Sequence, residues 1–144
     1  MTKIISVEQT ILVRWAALRA NGPIESCTIP PDKIPNSFHV GHEIAGKIVG
    51  VASFYPISKE GENGVGWQLR MMGVLPEYQR KGIGNAVLKF GIEFLIQNIQ
   101  PDYLWCNARK IAYEFYEKIG FSLISEEFDI AGIGSHRAMR IDLR

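Results

Sequence analysis

Between residue 65 and Pro101 the chain passes from a strand to a helix through a stretch that neither element can continue. From Val65 the alternation puts Trp67, Leu69 and Met71 on one face and Gln68, Arg70 and Met72 on the other. The alternation fails at Met71-Met72-Gly73-Val74, and a glycine at such a break marks a bulge or the close approach of another backbone. After a loop from Leu75 to Lys81, the apolar stripe Ile83, Val87, Phe90 and Phe94 predicts a helix that ends before Pro101. The junction reads Gln79-Arg80-Lys81-Gly82-Ile83-Gly84. A helix start leaves its first N–H groups unpaired, and glycines remove the side chains that would hold an anion away from them. Arg80 and Lys81 place two cations where the helix dipole disfavours them unless an anion arrives. A pyrophosphate is the natural guest of such a loop. The plainer alternative is a tight turn flanked by a solvated basic pair. The spacing is neither the Gly-x-x-x-x-Gly-Lys-Ser/Thr nucleotide loop nor the Gly-x-Gly-x-x-Gly dinucleotide fingerprint.

Around this junction the remaining elements fall into order. Ser6 and Gln9 form a capping box, and Val7, Ile11, Trp15 and Leu18 then predict an amphipathic helix that stops at Asn21-Gly22-Pro23. Residues 22 to 37 hold Pro23, Pro30, Pro31 and Pro35 with little periodicity, which predicts an ordered loop long enough to serve function. Phe38 to Glu43 and Lys47 to Tyr55 read as a hairpin turning at Ala45-Gly46. Tyr103 to Cys106 is a short strand. Ile111, Ala112, Phe115 and Ile119 define a further helix with Gly120 as its C-cap. Phe121 to Phe128 and His136 to Leu143 read as closing strands. The pattern predicts an α/β (α+β) domain with a mixed sheet and βα crossovers only in its second half, one domain over residues 1–144.

Composition narrows what that domain can do. The 144 residues carry 16 Lys and Arg against 15 Asp and Glu, a balance that argues against nucleic acid and against a polybasic membrane contact. No apolar run is long enough for a membrane helix, and Glu8 and Arg14 interrupt the N-terminal segment. Cys27 and Cys106 lie far apart with no metal-ligand spacing, so no metal site is expected and a reduced, cytoplasmic protein is the default.

The run WQLRMMGVLPEYQRKGIGNAVLKF resembles the cofactor-binding core of the GNAT superfamily of acyl-CoA-dependent N-acetyltransferases. The later run NARKIAYEFYEKIGF is similar to that superfamily's second motif, a helix ending Tyr-Glu-Lys-x-Gly-Phe. The resemblance implies a GNAT fold whose bulged central strand splays from its parallel neighbour to admit acetyl-CoA (coenzyme A). It implies that Met72, Gly73 and Val74 line the pantetheine arm and that an N–H of Gly73 or Val74 steadies the thioester oxygen. The backbone of Gln79, Arg80, Lys81, Gly82, Ile83, Gly84 and Asn85 would hold the pyrophosphate. Tyr116 matches the tyrosine that protonates the departing thiolate, which is chemically reasonable for a phenol of pKa about 10 beside a thiol of pKa about 8.5. The plainer alternative for Tyr116 is a half-buried core aromatic. Helical spacing sets Arg109, Tyr113 and Tyr116 along one flank, with Tyr113 a packing residue or a cofactor contact. The superfamily often carries an asparagine where this chain has Arg109, so either Asn107 takes over that contact or Arg109 reaches a phosphate.

The amine side is less marked. Candidate bases are His39, Glu43, Glu77, His136 and the acidic run Glu126, Glu127 and Asp129, which would suit a cationic amine if it faced the substrate. The implied activity is direct transfer of an acyl group to a primary amine, with small size and neutral charge favouring a small-molecule amine over a protein. A non-catalytic acyl-CoA-sensing module with the same cleft, and a nucleotide-phosphate binder of another fold, are the alternatives. Exposed edge strands would allow a homodimer.

Overall fold

The computed structural model describes all 144 residues. Eight strands make one sheet: β1 (Thr2–Ile5), β2 (Phe38–Ile44), β3 (Lys47–Tyr55), β4 (Gly66–Val74), β5 (Tyr103–Arg109), β6 (Ser122–Leu123), β7 (Phe128–Ile130) and β8 (Gly134–Asp142). Their order is β1-β2-β3-β4-β5-β8-β6, with β7 paired to β8 off that path. Only β4 and β5 run parallel. Three helices cover the sheet: α1 (Ile11–Leu18), α2 (Ile83–Asn98) and α3 (Tyr113–Ile119). No helix is long and apolar enough to cross a membrane.

The capping box forms as the sequence predicts. The Ser6 N–H donates to Gln9 Oε1 at 2.9 Å and the Gln9 N–H to Ser6 Oγ at 3.3 Å. The face that α1 buries is not the expected one, however. Trp15 stays 37% exposed, while Thr10, Val13 and Arg14 are buried. The stripe rotates because Arg14 is neutralised inside: its guanidinium donates to both carboxylate oxygens of Asp32, to the Cys27 carbonyl, to Ser53 Oγ and to the Tyr55 hydroxyl. Those same bonds order the proline-rich segment, which folds into two 3-10 turns at Ile24–Cys27 and Pro30–Lys33. Strand β1 has no counterpart in the sequence reading, since four residues at a sheet edge give too short a pattern to detect.

In β4 the break becomes a bulge. The register with β3 shifts between Val51 and Ser53, so that Ala52 faces two β4 residues, and Met71 takes φ +56°. The extra residue reverses the expected alternation, and Met72 rather than Met71 packs against the main core. Gly73 answers to the other role of a glycine: a Cβ there would lie 3.0 Å from Ala17 Cβ and 3.3 Å from Leu18 Cγ, so α1 crosses close above it.

Helix α2 and α3 share one face of the sheet, where Phe38, Phe54, Trp67, Leu69, Leu88, Leu95 and Tyr116 form the main core. Each such side chain contributes about 1.5–3 kcal/mol on burial. Ile5, Val13, Val49 and Val51 form a smaller core under α1 on the opposite face. Two late expectations change. Ile111 is 91% exposed, because the chain makes a 3-10 turn at Lys110–Ala112 before α3 begins. The strand expected over Phe121 to Phe128 splits into β6 and β7, with Glu126 and Glu127 exposed between them.

Candidate active site

The parallel pair at the centre of the sheet comes apart almost as soon as it forms. β4 and β5 are paired only at Gly66–Tyr103, Trp67–Leu104 and Gln68–Trp105. Beyond Gln68 the inner edge of β4 has no strand beside it. Successive N–H groups alternate across a strand, and Leu75 donates its N–H to the Val49 carbonyl at 2.9 Å. The Val74 N–H therefore turns away from β3, towards the open gap.

Two cavities flank that gap. The first, of about 580 Å3, is lined by Val74, Gln79, Arg80, Gly82, Ile83, Gly84, Asn85, Lys89, Phe115 and Lys118 among others. It lies over the start of α2, where Gly82 takes φ +79° as N-cap and no side chain caps the helix. The first N–H groups are thus free for an anion. At Gly84 a Cβ would meet only Phe115 at 3.8 Å and Val74 at 3.9 Å, ordinary contacts, so the protein's own packing does not demand glycine there. Lys89 and Lys118 add positive charge, and no carboxylate lines this cavity.

The second cavity, of about 620 Å3, opens on Arg19 of the segment after α1, Arg70 to Met72 of β4, Cys106, Asn107 and Arg109 of β5, Tyr116 of α3 and His136 of β8. Strand pairing sorts these by face. Arg109 is registered opposite His136, and Asn107 opposite Ala138, so Asn107, Arg109 and His136 point to the α1 side. Cys106 and Leu69 belong to the core on the α3 side, with Tyr116. The Tyr116 hydroxyl lies beside the Cys106 thiol: burial, reinforced by that neighbour, pushes the phenol well above its ordinary pKa, and burial pushes the thiol up to about 12. Both hold their protons at neutral pH. His136 Nδ1 is 2.8 Å from the Gly134 carbonyl, which can only accept, so the bond assigns the proton to Nδ1 and leaves Nε2 as the basic nitrogen of the neutral ring.

Residues 31–143 match the family model described as an acetyltransferase (GNAT) domain. The chain belongs to the GNAT acetyltransferase family. It is 35% identical over 143 residues to YitI of Bacillus subtilis (strain 168), an uncharacterised N-acetyltransferase, covering 99% of this chain and 95% of the relative. Among solved structures it is similar to Escherichia coli ElaA, with a TM-score of 0.78, 14% identity and 98% of each chain covered. An aminoglycoside 6'-N-acetyltransferase complexed with coenzyme A superimposes with a TM-score of 0.77 at 13% identity, covering 100% of this chain and 97% of that one.

Against this GNAT frame the expected site residues divide three ways. Val74, Gln79, Arg80, Gly82, Ile83, Gly84 and Asn85 line the first cavity. Met72, Asn107, Arg109 and Tyr116 line the second. Gly73, Lys81 and Tyr113 line neither: Gly73 accommodates α1, Lys81 is exposed, and Tyr113 packs against the core with its hydroxyl buried and unpaired. Arg109 closes β5 and is not on the flank of α3, so it does not continue the helical row of Tyr113 and Tyr116.

Of the candidate bases only His136 reaches either cavity. His39 is enclosed beside Ser53 and Asp32, Glu43 pairs with Lys3 at 2.8 Å, and Glu77 is exposed. The acidic run is a solvated edge, with Glu127 3.9 Å from Lys110 and Asp129 accepting from Ser135. Lys89, Lys118, Arg19 and Arg70 are lining residues the sequence reading passed over. Lys89 was within reach of it, one helical turn beyond Asn85 on the same face of α2.

Proposed function

We propose that this GNAT acetyltransferase moves an acetyl group from acetyl-CoA to a primary amine by direct attack while both are bound. The observation that carries the reading is the unpaired inner edge of β4 leading straight to the uncapped start of α2. An extended amide-bearing arm can pair with such an edge as an added strand, and the helix start with Arg80, Lys89 and Lys118 suits a pyrophosphate. The room left at Gly84 fits the same guest.

When bound there, acetyl-CoA supplies the acyl group as a thioester, which the amine takes while the sulfur leaves as the thiol. The Val74 N–H points into the gap and stabilises negative charge on the carbonyl oxygen. His136 Nε2, on the α1 side, takes the proton from the attacking nitrogen. Tyr116, on the α3 side, is the proton donor to the departing sulfur, whose own basicity rises in the same buried surroundings, and the tyrosinate regains a proton from solvent while His136 releases its own there. Acid and base thus stand on opposite sides of the sheet, with the gap between them.

Calorimetric titration with acetyl-CoA, alongside ATP and 3'-dephospho-CoA, tests the first half. Selective saturable binding is expected, and binding to no CoA species would end the reading. A thiol-release screen over amines tests the second half. Tight binding with no release to any amine would mean an acyl-CoA-sensing module instead.

A further inference from the structure

We infer that the acceptor is an amine bearing its own anionic group, a carboxylate or a phosphate, held by Arg19, Arg70 and Arg109. The inference rests on the acetyl-transfer reading and names the substrate class of the same site. The second cavity presents three arginines and no Asp or Glu. Arg70 and Arg109 are registered to face the α1 side, since Arg70 pairs with Ser53, whose Oγ binds Arg14 of α1, and Arg109 pairs with His136. Arg19 closes α1 on that side and spends one N–H on the Ser26 carbonyl.

Three cations that line one cavity without a counter-charge repel one another, and an anion relieves that repulsion. Neither Arg70 nor Arg109 is in an ion pair: the arginines that are, Arg14, Arg140 and Arg144, lie elsewhere. The phosphates of a CoA molecule do not account for these arginines. The first cavity has Arg80, Lys89 and Lys118 of its own, on the α2 and α3 side. The arginines share their face with His136 Nε2, so what they hold lies beside the atom that receives the amine's proton. A polyamine would meet cations only, and the carboxylates that could have welcomed it, Glu126, Glu127 and Asp129, are solvated at the β7 edge. Guanidinium forks suit carboxylate and phosphate oxygens equally, so the experiment separates the two.

Thiol release from acetyl-CoA is measured with free L-amino acids against the same amino acids as α-amides, with O-phosphoethanolamine against ethanolamine, and with spermidine. At least one anionic amine is expected to exceed its uncharged partner by tenfold or more in kcat/KM. The arm in which this occurs identifies carboxylate or phosphate. Arg70→Gln and Arg109→Gln should bring that ratio towards one, chiefly through KM, with the melting temperature of each variant unchanged. Equal or faster transfer to amides, ethanolamine or spermidine overturns the inference and leaves acetyl transfer standing. Should acetyl-CoA bind and no amine release thiol, the transfer reading fails. The anion site is then judged separately, by titrating CoA-bound protein with N-acetyl-L-amino acids. Saturable binding that the double variant loses supports the site, and absent or unaltered binding overturns it.

Discussion

The guanidinium of Arg14 grips both carboxylate oxygens of Asp32, at 2.8 and 3.1 Å, with the two side chains 0% and 2% exposed. Helix α1 is thereby pinned to the 3-10 turn at Pro30–Lys33, and through Ser53 and Tyr55 to β3. Removing one partner of a buried pair strands the other. Arg14→Met is expected to lower unfolding free energy by about 3–5 kcal/mol. Arg14→Lys should recover little, since an ammonium cannot reproduce the fork. Urea denaturation measures this, and a loss below about 1 kcal/mol would show that the pair does not hold the loop.

The same cluster makes stability depend on pH in two windows. Burial pushes the Asp32 carboxyl up, but hydrogen bonds from Arg14 and Tyr55 outweigh it and hold the pKa at about 2 against an ordinary 3.8. That shift contributes about 2 kcal/mol above the ordinary carboxylate range, at 1.36 kcal/mol per unit, and the contribution is lost as pH falls towards 2. His39 is lowered by burial and by Arg14, so the unfolded chain takes up its proton first. Stability should therefore start to fall as pH drops below about 6.5, the ordinary histidine value. His42 is lowered as well. Melting curves from pH 8 to 5 should slope downward on acidification, and His39→Asn should flatten part of that slope. An unchanged slope in the variant would assign the effect elsewhere.

Gly84→Leu separates cofactor binding from folding. Its Cβ fits beside Phe115 and Val74, and leaving glycine inside a helix is mildly favourable, by about 0.5–1 kcal/mol. The melting temperature should hold or rise while calorimetric affinity for CoA falls at least a hundredfold. Full affinity would place the pyrophosphate somewhere else.

Tyr116→Phe removes the hydroxyl beside Cys106 and little else. Turnover should drop about a hundredfold with CoA affinity within twofold. A variant matching the parent at every pH would exclude the tyrosine as acid.

His136→Gln should cost about a hundredfold or more in kcat/KM. It lies on the face opposite the first cavity, so acetyl-CoA affinity should be retained. Parental kcat/KM in this variant would hand the proton to water.

Most of the fold was readable because it follows from local pattern. The capping box at Ser6 and Gln9, the hairpin at Ala45-Gly46, the α2 stripe and the Gly120 cap each sit within a few residues of their causes. The misreadings share a physical origin, in that the deciding partner is remote in sequence. Arg14 goes inside only because Asp32, Ser53 and Tyr55 converge on it. Met71 leaves its face because the bulge inserts one residue against Ala52. The cavity over the start of α2 was legible for the same local reason, since one loop and one helix start supply most of its lining. The second cavity draws Arg19, Arg70, Arg109 and His136 from four separate segments, and nothing short of the folded sheet brings them together.

Three residue pairs are all that join β4 to β5, so the sheet is close to being two sheets with a common seam. Relative rocking of the halves β1–β4 and β5–β8 has its softest point there, and α2, rooted beside Val74, packs chiefly on the β1–β4 half. A chain-like guest that bonded to the free edge of β4 would stiffen the seam and bring Tyr116 and His136 to a set separation. Rigidity in the middle of this molecule is then something its ligand completes.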